Sequence, residues 1–287
     1  MFRTIVVGVR EVQDGRDAIA LAARLRAPGD AVALLHVEVV TARPAPDSGA
    51  VVRAAKRLTA LDRLTQLADE FAIDAEAACT EARSVRRGLH EFARRENADL
   101  LVVRASHLDE LGRDFIGDDA QAVLEDAPCA VAVAPAGYFE RAQAISRIGV
   151  AYDGSAGSDQ ALALARTLAD ERGAELSAFQ AVAARLDAQD PMNVAGGSEE
   201  PATAARQRIA ALGGVRPDAR SGDAVEELAR YERSVDLLVI GAHEYGPIDH
   251  LLGASVSQQL ADDPAAPLLV LPPPPARHRR VRAGRRG

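Results

Sequence analysis

Asp236-Leu-Leu-Val-Ile-Gly241, a polar stretch through His250, Leu251-Leu-Gly-Ala-Ser255, a short amphipathic segment and Pro267-Leu-Leu-Val-Leu271 together decide the reading of this chain. An apolar run closed by a glycine, a loop, a helix opening on Ser255 and a second apolar run make a strand–loop–helix–strand unit of a parallel sheet. The loop of such a unit lies beyond the carboxyl end of a buried strand and leads into a helix N-terminus. Free N–H groups and the positive end of the helix dipole converge there, so anions are favoured at that point.

Working outward, Asp99 to Pro135 repeats the unit. Placing Asp99-Leu-Leu-Val-Val103 on Asp236 to Ile240 gives an offset of 137, which also sets Asp126 on Asp263 and Pro135 on Pro272 with no gap over 37 residues. The first strands, Ile5 to Val9 and Ile148 to Tyr152, match at an offset of 143, and the difference of six residues falls in the loops between. The chain therefore reads as two tandem copies, 1–137 and 147–272, with a linker at 138–146 and a Pro/Arg-rich tail at 273–287.

Each copy alternates strands with helices. In the first, strands at Thr4–Val9, Ala31–Val40 and Ile73–Cys79 are separated by helices at Asp14–Leu25 and Val51–Phe71, and a third helix at Val85–Asn97 leads into the repeat unit. In the second, strands at Ile148–Tyr152, Ala174–Ala183 and Val215–Arg220 alternate with helices at Ser158–Arg172, beyond Pro201 to Leu212, and at Ala224–Ser234, with a loop at Arg185–Pro201. This spacing predicts an α/β fold of two open, doubly wound parallel sheets with right-handed crossovers.

Composition agrees with two domains: 287 residues, 48% hydrophobic but 3% aromatic with no Trp, so the cores are built from Ala, Val and Leu. No apolar run approaches the roughly 18 residues of a membrane span, and Met1-Phe-Arg-Thr4 passes directly into a strand, so a cytoplasmic protein without a membrane partner is expected. Cys79 and Cys129 sit in strand-like runs and read as buried free thiols. The formal net charge is −8, yet six arginines of the tail (277, 279, 280, 282, 285 and 286) leave −14 for the rest. An acidic body argues against nucleic acid as a main partner; the tail, with no aromatic residue to stack on a base, reads as a disordered extension with at most weak nucleic-acid affinity. Lys56 is the only lysine and lies in an amphipathic helix pattern, which excludes a phosphate-binding P-loop.

Asp153-Gly-Ser155, Asp236 to Gly241, Tyr245-Gly-Pro247, Leu251-Leu252 before Ser255, and Pro267 to Val270 resemble the universal stress protein family, over nearly the whole chain as a tandem pair. The resemblance implies five strands per sheet in the order 3-2-1-4-5 and pairing of two domains through their fifth strands. In one branch it also implies ATP, or another adenine nucleotide, held with Mg²⁺ by the motif G-x-x-G-x9-G-[ST].

Carried over to the second copy, the motif positions are Gly241, Glu244, Ala254 and Ser255, with Gly253 just before the third and Gly246 two residues after the second. Glycine serves such a loop because a backbone without Cβ approaches phosphate closely. Glu244 opposes a triphosphate by charge unless it turns to solvent or helps hold Mg²⁺. Ser255, with Val256 and Ser257, opens a helix and either donates to an anion or simply caps the helix. The resemblance gives Asp153 to the nucleoside and sets adenine near Ala181; the plain alternative for Asp153 is an Asp-Gly turn.

In the first copy the same positions are Arg104, His107, Gly117 and Asp118, and Arg10 replaces the strand-end aspartate. A carboxylate at the helix N-terminus disfavours phosphate, and pairing of Arg10 and Arg104 with Asp118 or Asp119 is expected to fill that pocket, the alternative being a different anion bound by those arginines. His243, Glu244, Asp249 and His250 lack metal-ligand spacing and read as exposed loop residues. With no G-x-S-x-G elbow and no G-x-G-x-x-G, catalysis beyond slow incidental ATP hydrolysis is not expected. Two readings stand: an adenine-nucleotide-binding stress-response protein with its site in the second copy, and a nucleotide-independent scaffold for a second copy of the chain or another protein.

Overall fold

The computed structural model describes residues 2–9, 12–27, 29–39, 49–105, 120–141, 144–182, 199–241 and 256–273. The first half contains β1 (Thr4–Gly8), α1 (Val12–Leu25), β2 (Ala31–Val39), α2 (Gly49–Glu70), β3 (Ala75–Ala82), α3 (Val85–Arg95), β4 (Leu100–Arg104), α4 (Ala120–Leu124), β5 (Ala130–Ala134) and α5 (Tyr138–Arg141). The second contains β6 (Arg147–Ala151), α6 (Ala156–Arg172), β7 (Glu175–Val182), α7 (Glu199–Ala210), β8 (Arg216–Ser221), α8 (Ala224–Glu232), β9 (Leu237–Gly241), α9 (Val256–Asp262) and β10 (Leu268–Leu271).

The strands form one sheet in the order β3-β2-β1-β4-β5-β10-β9-β6-β7-β8. Each half is parallel with its strands in the order 3-2-1-4-5, and the halves meet where β10 runs antiparallel to β5. The register there pairs Val133 with Leu268, Ala132 with Leu269 and Val131 with Val270. On the offset of 137, Ala132 faces its own counterpart, so a pseudo-two-fold axis passes through the Ala132–Leu269 pair. Both strands are fully apolar, and pairing removes two edges that would otherwise template aggregation.

Side chains alternate across the sheet, as strands buried on both faces require. Ile5, Val7, Leu100, Val102, Leu237 and Val239 pack with α1, α2, α6 and α7 on one face; Val6, Leu101, Val103, Leu238 and Ile240 pack with α3, α4, α8 and α9 on the other. Each layer is continuous from one half to the other. Across the joint, the Arg172 guanidinium of α6 donates to the Arg24 and Leu25 carbonyls at the end of α1 (3.1 and 3.0 Å), and Gln121 of α4 bonds Asp262 of α9.

Helix limits follow local chemistry. Ser84, Ser155 and Asp223 are N-caps whose side-chain oxygens accept backbone N–H groups in the first turn, and α6 ends on Gly173 at φ +62°, a conformation suited to glycine. Several limits differ from the sequence reading. β3 runs from Ala75 to Ala82 because β2 pairs with it over that length. α7 begins at Glu199, with Pro201 tolerated in a first turn that needs no intrahelical N–H donor. The segment expected as a linker opens with α5 and buries Tyr138 and Ile145. Cys129 is a buried free thiol pushed up to about 12 by burial, whereas Cys79 is only half-buried. Among the described residues no helix is long and apolar enough to cross a membrane.

At the amino edge of the sheet the two copies agree. Asp99 accepts the N–H groups of Arg3 and Thr4 at 2.8 and 3.2 Å; Asp236, its counterpart, accepts those of Ser146 and Arg147 at 3.0 and 2.9 Å. In both, the residue before the fourth strand ties down the start of the first.

Candidate functional site

In the order 3-2-1-4-5 the crossovers diverge between the first and fourth strands, so the crevice of each half lies at the carboxyl ends of those strands. In the second half Ala151 of β6 pairs with Ile240 of β9, and the Tyr152 N–H donates to the Phe179 carbonyl of β7 at 2.8 Å. Asp153, Gly241 and Ala181 therefore lie at the carboxyl ends of three adjacent strands. Asp153 is exposed, and Ala181 is half-buried in register with Arg220 of β8.

The β6–α6 turn is held by its own side chains. Asp153 Oδ1 accepts the Ser155 N–H at 2.9 Å, and Ser155 Oγ accepts the Ser158 N–H at 3.2 Å. Ser158, 4% exposed, accepts the Gly154 N–H at 3.1 Å and donates to the Ser155 carbonyl at 2.9 Å. Gly154 has φ +83°, which glycine adopts without strain. The Tyr152 hydroxyl donates to Asp159 at 2.9 Å, and burial together with that carboxylate raises the phenol's pKa.

Gly241 has a packing role that the motif did not reveal. A Cβ there would lie 2.0 Å from the Gly157 carbonyl oxygen, so the first turn of α6 rests directly on the end of β9. Val256 and Ser257 open α9 and are half-buried, Val256 packing on the core of its face. Glu244, Gly246, Gly253, Ala254 and Ser255 lie outside the described residues, as do His243, Asp249 and His250.

The described residues fit the two ends of an adenine nucleotide unequally. An exposed carboxylate beside a half-buried alanine suits a sugar hydroxyl and a base. The turn, by contrast, spends the N–H groups of Gly154, Ser155 and Ser158 internally and carries the acidic Asp153 and Asp159, so it makes no phosphate cradle. Phosphate contacts would have to come from the loop between β9 and α9.

The first half is built differently at the matched edge. Arg104, which stands where the second half has Gly241, donates through Nε to Asp17 of α1 at 3.0 Å. Asp17 is 5% exposed and also accepts the N–H groups of Gly137 and Phe139 at 2.9 and 2.8 Å, capping α5 at the end favoured by negative charge. The sequence reading expected Asp118 or Asp119 as partners of Arg104; those residues and Arg10 are outside the described set, and Asp17 takes the described contact. Its signal was an aspartate amid the apolar positions of α1, next to Ala18 and Ile19.

Two further buried groups of the second half escaped the motifs. Tyr231 fills the space where a Cβ on Gly149 would sit, 2.8 Å away, stacks on Phe179 with ring centroids 4.7 Å apart, and bonds the Ser177 hydroxyl at 2.6 Å; burial pushes its phenol up to about 12. Glu232, 1% exposed, accepts the Ala265 N–H through Oε2 at 3.2 Å while Oε1 has no hydrogen-bond partner among the described residues, and burial pushes its carboxyl up to about 7.

Comparison with known proteins follows the same division into halves. The profile of the Universal stress protein family matches residues 1–135 and 144–272. A universal stress protein from Archaeoglobus fulgidus DSM 4304 has a similar structure: 15% identity, 96% of this chain and 97% of that one covered, TM-score 0.66. A protein from Pseudomonas aeruginosa UCBPP-PA14 described as a putative universal stress protein is 16% identical over 95% of this chain and 94% of its own, with a TM-score of 0.59. These likenesses extend over both halves and concern the fold. No curated protein matches the chain.

Proposed function

We propose that this chain, which belongs to the universal stress protein family, binds an adenine nucleotide in its second half and acts by binding and association rather than by catalysis. The reading is carried by one observation: Asp153, Ala181 and Gly241 share the carboxyl edge of the second half, whereas an ion pair between Arg104 and Asp17 lies at the matched edge of the first. Asp153 and Ala181 are assigned to the nucleoside. Gly241, Glu244, Gly246, Gly253, Ala254, Ser255, Val256 and Ser257 are assigned to the phosphate side, with or without Mg²⁺. The internal satisfaction of the β6–α6 turn favours a second reading, a nucleotide-independent scaffold that presents its joined halves to a protein partner.

Calorimetry of the full chain with adenosine and with ATP, each with and without Mg²⁺, separates these readings. One site per chain is expected, weakened for both ligands by Asp153→Ala. Because Glu244 and Ala254 depart from the motif at phosphate positions, Glu244→Gly with Ala254→Gly should tighten ATP at least about tenfold, equivalent to about 1.4 kcal/mol, and adenosine less. If neither protein binds either ligand, and no nucleotide is released on denaturation, the scaffold reading replaces the first.

A further inference from the structure

The turn that joins α9 to β10 is Asp263-Pro264-Ala265-Ala266-Pro267. Its two prolines carry no backbone N–H, so few of its groups can tie it down. One that does is the Ala265 N–H, which donates to Glu232 at the end of α8. The seven-residue α9 packs on both α8 and α4, and the Gln121–Asp262 bond ties it to the first half. Glu232 therefore clasps the far end of a short helix that crosses the joint between the halves.

This clasp suits one charge state. Glu232 is 1% exposed, and its second oxygen, Oε1, has no hydrogen-bond partner among the described residues. A neutral carboxyl in that position costs one unmade hydrogen bond. A carboxylate costs a buried charge with acceptor sites left empty, and hydration relieves it only if the turn moves aside.

The charges around it do not compensate. Arg233, next on the chain, favours the carboxylate, and Asp263 in the facing turn opposes it. On α8 itself Glu227 is already paired with Arg230. Of the elements packed nearby, α9 adds Asp262, bonded to Gln121; the start of β9 adds Asp236, bonded to Arg147 and Ser146; β7 adds an exposed Glu175; and β10 is wholly apolar. Burial prevails and raises the Glu232 pKa from 4.5 to about 7. The first half has Ala93 in place of Glu232 and sets His90 Nε2 2.8 Å from the Val123 carbonyl of α4. Burial lowers the pKa of that imidazole from 6.5, so it stays neutral as pH rises above 7.

We propose that Glu232 is a pH-sensitive latch on α9: protonated, it keeps the α9–β10 turn closed, and on losing its proton to water it lets the turn open and α9 part from α8 and α4. The latch does not depend on nucleotide binding in the second half. A raised acid stabilises the closed turn fully below pH 4.5 and loses that contribution as pH rises through 7. Between pH 6 and pH 8 the open fraction should rise about tenfold.

Native-state hydrogen exchange of the full chain in low urea, corrected for the intrinsic pH dependence of amide exchange, reads that fraction. Exchange of residues 256–266 should be nearly independent of urea, the mark of a local opening, and about tenfold faster at pH 8 than at pH 6. Glu232→Gln should abolish the pH dependence. Glu232→Ala, which installs the first half's residue, should abolish it too, even if it speeds exchange at both pH values. Equal exchange of residues 256–266 in the parent at the two pH values would overturn the proposal, as would the same tenfold rise in Glu232→Gln. So would exchange of these residues that climbs with urea as steeply as that of β6, because α9 would then open only when the whole half unfolds.

Discussion

The amino and carboxyl edges of this sheet have had different freedoms. At the amino edge the halves use the same device, an aspartate before the fourth strand that accepts the N–H groups at the start of the first. At the carboxyl edge they have parted. The first half places Arg104 against the buried Asp17, and the second keeps Gly241 under the first turn of α6. At the amino edge both aspartates bond the backbone that starts the first strand. The carboxyl edge is where a doubly wound sheet binds ligands, and there one copy carries an ion pair where the other has the bare backbone of Gly241.

The sharpest way to break this comparison is to move the first half's residue into the second. Gly241→Arg puts a Cβ 2.0 Å from the Gly157 carbonyl oxygen, a contact with backbone that no rotamer relieves. Either the start of α6 lifts away or β9 shifts, at a cost of about 3 kcal/mol or more. Urea denaturation should report it. A variant as stable as the parent would mean that α6 is free to move, and that Gly241 is kept for a ligand rather than for packing.

Below that edge the halves differ again. Aligned on their helix caps, Ser84 and Asp223, the second half buries Glu232 where the first buries Ala93. The backbone N–H groups of Ala265 and Ala266 and the charge of Arg233 favour the carboxylate, and Asp263 opposes it; burial outweighs them and raises the pKa from 4.5 to about 7. A raised acid binds its proton more tightly in the folded state, so its contribution is fully present below pH 4.5 and is lost as pH rises through 7. At about 1.36 kcal/mol per unit the loss is roughly 3 kcal/mol. Glu232→Gln should flatten the stability profile between pH 5 and 8 by about that amount, measured by denaturation at a series of pH values. Parallel profiles for the two proteins would show that Glu232 remains ionised in a solvated niche.

What was legible in the sequence follows from the range of each interaction. β4, β5, β9 and β10 read clearly because strands buried on both faces are near-continuous apolar runs, and a gapless repeat preserves their register. Asp153, Ala181 and Gly241 come together because topology alone dictates which strand ends are neighbours. α5 could not be read, since its four residues are capped by Asp17, 120 positions upstream of Gly137. The contact of Arg104 with Asp17 went unread for the same reason. Likewise, periodicity marks α2 as an amphipathic helix without revealing that residues 51–63 stay unburied, and the exchange of Val6 and Phe92 for Gly149 and Tyr231 is visible only once the rings are in place.

The smallest expected effect tests whether the matched amino edge is as symmetric as it looks. Asp99 is exposed and accepts two backbone N–H groups, whereas Asp236 also accepts from the Ser146 hydroxyl at 2.8 Å and the Arg147 guanidinium at 2.7 Å. Burial alone would raise the Asp236 pKa, but the Arg147 and Ser146 donors outweigh it and hold the carboxyl below its usual value. Substitution by Asn keeps one acceptor oxygen and removes the charge, weakening charge-assisted bonds to ordinary ones. Asp236→Asn should therefore cost about 1.5 kcal/mol at pH 7 and Asp99→Asn about 0.5 kcal/mol. A lowered acid contributes its stability above the unfolded-state pKa and loses it as pH falls through the folded one, so the Asp236 difference should shrink progressively below about pH 5. Equal costs for the two variants at pH 7 would make the Arg147 and Ser146 contacts energetically silent. A difference that persists undiminished to pH 4 would trace it to packing rather than to charge.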